Sequence, residues 1–135
     1  MFGRNTSRTP QKRIDSLIGA GTTVVGDITF VGGVRVDGAV KGKISTADSQ
    51  PGTLVISEQA RVEGEVRVSH VVVNGAVNGP LTANDYLELQ SNARVNGDVV
   101  YRTLEMHVGA IVHGKLMHAE PETGAVVELK RATGD

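Results

Sequence analysis

No cysteine and no tryptophan occur in this 135-residue chain, and phenylalanine and tyrosine supply two residues each. Without cysteine there is no disulfide scaffold, no thiolate zinc site and no cysteine nucleophile. An apolar run of 18 residues is also missing, so no segment reads as a membrane-spanning helix. Residues 1–13, MFGRNTSRTPQKR, lack the apolar stretch of a secretory signal, and the chain reads as a cytoplasmic protein. Nothing resembles a P-loop or another phosphate cradle.

What is present is valine and glycine. Val (21), Leu (8), Ile (6) and Met (3) make 38 aliphatic residues, and 17 more are Gly. Branched aliphatics with so few rings favour pleated strands, because β-branched side chains are stiff at χ1 and fit a sheet surface. That much glycine argues against a helical bundle, and the three-residue period of collagen is absent. Charge is nearly balanced at 14 basic to 15 acidic residues, but unevenly spread. Arg4, Arg8, Lys12 and Arg13 give the first 13 residues a charge of +4, leaving 10 basic against 15 acidic residues, a net of −5. The body of the chain therefore has no basic footprint for nucleic acid.

A valine, any residue, glycine pattern recurs along the chain, and repeats of this kind decide a fold. Its glycines are Gly26, Gly42, Gly64, Gly79, Gly97 and Gly114, spaced 16, 22, 15, 18 and 17 residues apart. Two residues before each stand Val24, Val40, Val62, Val77, Val95 and Val112. Two after stand Ile28, Ile44, Val66, Leu81, Val99 and Leu116. Eight before stand Ile18, Val34, Ile56, Val71, Leu89 and Met106, and four before are the small Thr22, Gly38, Ala60, Gly75, Ala93 and Ala110.

These offsets are even, which is the period of strands. A repeat of roughly 17 residues built from short strands is one coil of a parallel β-solenoid. A single coil cannot bury its own face, so neighbouring coils must do it. Coils stacked about 4.8 Å apart would make six into a rod roughly 29 Å long. The sequence thus predicts an all-β domain over residues 16–118, with disordered tails at 1–15 and 119–135. The long row carries an insertion, Ser45 to Gly52, read as a surface loop thrown out at a corner. After the glycines come Asp27, Lys43, Glu65, Pro80, Asp98 and Lys115, a charge ladder read as a solvated face.

The ends of such a rod carry the functional question, because each leaves strand edges and an aliphatic core uncovered. Neither terminus has a helical pattern that would cap it. The short AVVEL segment at 125–129 is a thin lid. Leu17 and Ile18 at one end, and Ile111, Leu116 and Met117 at the other, are the candidate end contacts for self-assembly without nucleotide.

Catalytic readings compete with this one. Gly26, Gly32 and Gly38 fall six apart, which briefly mimics the hexapeptide-repeat acyltransferases and the related zinc carbonic anhydrases. The spacing then fails. His107, His113 and His118 offer imidazoles for zinc, but no carboxylate constellation is evident around them, and they read as surface residues. No enzyme and no cofactor is expected. A β-helix adaptor that does not polymerise is the remaining alternative.

The runs LIGAGTTVVGDITFVGGVRVDGAVKGKI, VVVNGAVNG, ARVNGDV and AIVHGKL resemble the bactofilins, bacterial polymer-forming cytoskeletal proteins, over residues 16–118. The resemblance implies a single-stranded, right-handed, triangular β-helix that polymerises end to end into apolar filaments. It also implies a role in cell shape, through peptidoglycan synthases or hydrolases localised at the inner membrane. Many members bear a hydrophobic start followed by basic residues that attaches filaments to lipid. Met1, Phe2, Arg4, Arg8, Lys12 and Arg13 fit that outline. Members often place an aromatic near the C-terminal end contact, whereas here no aromatic follows Tyr101, which leaves that role to Ile111, Leu116 or Met117.

Overall fold

A computed structural model describes residues 14–119. The membrane-attachment candidates Met1, Phe2, Arg4, Arg8, Lys12 and Arg13, and the segment 125–129, lie outside the described residues. Fifteen short parallel strands and one 3-10 turn make up the described secondary structure.

The first coil is β1 (Ser16–Ile18), β2 (Thr23–Val25) and β3 (Ile28–Phe30). The second is β4 (Gly32–Val36), β5 (Ala39–Lys41) and β6 (Ile44–Thr46), and the third begins with β7 (Gly52–Ile56) and β8 (Arg61–Glu63). Long strands then bend round a corner and serve two coils each. They are β9 (Val66–Val73), β11 (Leu81–Leu89) and β13 (Val99–Met106), with β10 (Ala76–Asn78) and β12 (Arg94–Asn96) between them. The sixth coil closes with β14 (Ile111–His113) and β15 (Leu116–His118).

Pairing runs along three ladders, so each coil has three sides. The first side stacks β1, β4, β7 and the C-terminal halves of β9, β11 and β13. The second stacks β2, β5, β8, β10, β12 and β14. The third stacks β3, β6, the N-terminal halves of β9, β11 and β13, and β15. The result is a parallel β-solenoid of six three-sided coils.

The valine column pairs in register from Val24 through Val40, Val62, Val77 and Val95 to Val112. Its four central members are fully buried. From Gly42 onward the following glycines stack on the carbonyl of the preceding one, where only a backbone without Cβ fits. A Cβ on Gly64, where φ is +149°, would stand 2.2 Å from the Gly42 carbonyl oxygen.

The first-side register corrects the sequence reading in two rows. Ile18 stacks on Val36, and Ile56 on Val73, where the glycine-anchored rows put Val34 and Val71. Corner length is the cause. The corner after the first side is the turn Gly19–Thr22 in coil one, closed by Thr22 N–H to Gly19 O, but only Asp37 and Gly38 in coil two. Coil four is likewise short, with Asn74 and Gly75. A two-residue slip preserves pleat parity, so Val34 and Val71 still face inward. They belong to a further core column with Leu54, Leu87 and Leu104. The insertion also proves shorter than read. Ser45 and Thr46 belong to β6, and the extra residues begin with the 3-10 turn Ala47–Ser49.

Candidate functional site: the two open end coils

The hydrophobic core is continuous through coils two to five and opens at both ends. Val36, Val40 and Ile44 of the second coil are fully buried, whereas their stacking partners Ile18, Val24 and Ile28 in the first coil are only partly covered. At the other end, Leu89, Val95 and Val99 are fully buried. Their partners Met106 and Leu116 are exposed, and Val112 is half-buried. Among the described residues the ladders terminate at β1, β2 and β3 on one side, and at β14, β15 and the end of β13 on the other. Each end therefore offers a row of strand edges around an aliphatic floor, the template that pairs most readily with another edge.

The candidate end-contact residues divide by direction. Ile18 and Leu116 occupy inward columns whose outer neighbour is missing. Leu17 stacks in register with Arg35, Ile111 with Arg94 and Met117 with Val100, outward columns on the three sides. Leu17, Ile111 and Met117 thus form part of the rim. Val108, at the corner between β13 and β14, is 94% exposed and extends that rim. The glycine pattern gave no sign of Val108, because corner residues carry no strand period.

The ladder after the glycines binds coil to coil through backbone donors. The Asp27 carboxylate accepts the Lys43 N–H at 2.9 Å, and Asp98 accepts the Lys115 N–H at 3.0 Å. Glu65 instead pairs with Arg67 two residues on, at 3.3 Å.

The lateral surface holds two further features. A shallow groove of about 330 Å³ runs along the corner after the first side, lined by Arg35, Asp37, Val55, Ser57, Val72 and Asn74 among others. Hydrogen bonds from Ser57 and then Arg35 hold the Asp37 carboxyl below its ordinary range. That lining contains no histidine.

The second feature corrects the sequence reading at His107, around which spacing shows no carboxylate constellation. His113 lies in β14 on the second side, and His118 lies in β15 on the third, where it packs on Tyr101 at 5.6 Å between ring centres. They do not converge with His107. His107 instead meets two carboxylates that sequence spacing left unnoticed, with Nε2 3.0 Å from Glu88 and 3.3 Å from Glu105. A sequence signal existed. Glu88 and Glu105 are 17 residues apart, one coil, and they pair directly in the ladder.

Comparison with known proteins completes this description. Residues 16–117 match the family model "Bactofilin: Polymer-forming cytoskeletal". The chain is 29% identical over 118 residues to Bactofilin BacO of Myxococcus xanthus (strain DK1622), covering 84% of this chain and 90% of that protein. No solved structure matches.

Proposed function

This chain belongs to the bactofilin family of polymer-forming cytoskeletal proteins, and from that premise we propose that it assembles end to end, through its two open coils, into apolar filaments without nucleotide. The observation that carries this reading is the uncovered core at each end, Ile18, Val24 and Ile28 on one side and Met106, Val112 and Leu116 on the other. Stacking a second rod on either end would bury these side chains. It would also extend three ladders at once, with antiparallel pairing across the junction because like ends meet. Burial of an exposed aliphatic is worth about 1.5–3 kcal/mol, so a handful per junction is enough to hold a filament.

Electron microscopy of the purified full chain without nucleotide or metal tests the proposal. Filaments are the expected result, and small particles at every concentration would overturn it in favour of a non-polymerising adaptor. Symmetry makes the test sharper. In an apolar filament like ends meet, so Ile18→Arg should leave pairs joined through their C-terminal coils, and Leu116→Arg pairs joined through their N-terminal coils. Single rods from either variant would instead indicate head-to-tail, polar growth.

We further propose that filaments lie on the inner face of the cytoplasmic membrane, where they position peptidoglycan synthases or hydrolases and so influence cell shape. Support for the membrane contact is compositional. Met1 and Phe2 precede the +4 charge of Arg4, Arg8, Lys12 and Arg13. Each basic residue near anionic lipid contributes about 1 kcal/mol, weak in one chain and multiplied by avidity along a filament. Sedimentation with anionic vesicles should be lost in the Phe2→Ala, Arg4→Ser double variant. Unchanged pelleting of that variant would exclude this attachment.

A further inference from the structure

Three side chains on the lateral surface form a constellation that the polymer reading does not use. Glu88 lies near the end of β11 in coil five, and Glu105 stands in direct register with it on β13 in coil six. Like charges directly opposite in a ladder are destabilising, unless something positive lies between them. The His107 Nε2 sits beside both carboxylates.

The geometry is more specific than an ion pair requires. Donor atoms of Glu88, Glu105 and His107 all lie within 4.8 Å of one another. Nε2 is shielded from solvent and close to both carboxylates, yet it has no hydrogen-bond partner among the described residues. An imidazolium held only as an ion pair would aim its N–H at one of the oxygens. Metal–ligand bonds of about 2.0–2.1 Å place neighbouring ligand atoms about 3.3 Å apart in a tetrahedron. The spacings of 3.0 and 3.3 Å between Nε2 and the two carboxylates are of that size.

Each carboxylate also accepts a hydrogen bond from a neighbour, Glu105 through the oxygen turned away from His107 and Glu88 through the oxygen that faces it. The Tyr86 hydroxyl donates to Glu105, and Gln90 Nε2 donates to Glu88 at 3.2 Å. Outer partners of this kind orient metal-ligating carboxylates. One imidazole nitrogen with two carboxylate oxygens is a borderline donor set, suited to zinc and its first-row neighbours.

We propose that Glu88, Glu105 and His107 bind one divalent transition-metal ion, zinc or a close analogue, which clips the sixth coil onto the fifth. Water would complete its coordination. The ion would neutralise the stacked carboxylates and stiffen the coil that carries the C-terminal open end.

The test uses the full chain, stripped with chelator and dialysed against zinc chloride, with bound metal counted by mass spectrometry. One zinc per chain is expected, and saturation should raise the melting temperature by mass action. Glu88→Gln and His107→Ala should each abolish stoichiometric uptake, whereas His113→Ala and His118→Ala should retain it. Tyr86→Phe should weaken binding roughly tenfold, the usual effect of losing an outer partner. Cobalt substituted into the unaltered protein gives a readout free of folding artefacts, a visible spectrum with nitrogen and oxygen ligation. No uptake by the unaltered protein, or equal uptake by Glu88→Gln and His107→Ala, would overturn the proposal and leave the trio as an ion pair.

Discussion

The Asp27 carboxylate accepts a hydrogen bond from the backbone N–H of Lys43, one coil further on, at 2.9 Å. The same relation recurs between Asp98 and Lys115 at 3.0 Å. An aspartate just past the stacked glycine thus satisfies a donor of the next coil, at a corner where strand pairing is interrupted. Asp27→Ala in a non-elongating Leu116→Arg background should speed hydrogen exchange at Lys43 and cost about 1 kcal/mol. Asp27→Asn keeps an acceptor oxygen and should restore most of the protection. Equal exchange in all three proteins would show that the carboxylate contributes nothing there.

The glycine stack allows a paired comparison. A Cβ at Gly64 would lie 2.2 Å from the Gly42 carbonyl oxygen, a backbone atom of the adjoining coil that has no flexible side chain to move aside. Gly26 has positive φ as well, +128°, but nothing lies within 4 Å of its Cβ position in the end coil. Gly64→Ala should therefore cost at least about 3 kcal/mol, and Gly26→Ala only its backbone strain, about 1–2 kcal/mol. Chemical denaturation of the two variants decides this. Similar midpoints would mean that the close stacking is not the reason for glycine.

The same comparison explains what could be read from the sequence. The column from Val24 to Val112 was legible because one residue type recurs at a fixed offset from a glycine that sterics enforce. Even offsets then gave the inward side without knowledge of corner length. The partners of Ile18 and Ile56 were not legible, because corners of two and four residues look alike when only parity is scored. For the same reason the column containing Leu54, Leu87 and Leu104 went unseen. The Glu88, Glu105 and His107 cluster needed a true register and a corner turning the imidazole back toward β11, neither of which spacing supplies.

That cluster also makes a prediction about pH. Tyr86 donates its hydroxyl to Glu105, and this bond, with partial burial and the charges of Glu105 and Glu88, pushes its phenol from 10.0 up to about 12. A pKa raised in the folded state means the protonated form is stabilised there. The contribution is therefore fully present below the unfolded value near 10 and is lost as pH rises from about 10 to about 12. Tyr101→Phe leaves Tyr86 as the one tyrosine, so its ionisation can be followed by ultraviolet absorbance. The expected midpoint is about 12, falling toward 10 in the Tyr101→Phe, Glu105→Gln double variant, where the negative charge is gone. A midpoint near 10 before Glu105 is altered would mean that the hydroxyl is not held by that carboxylate in solution.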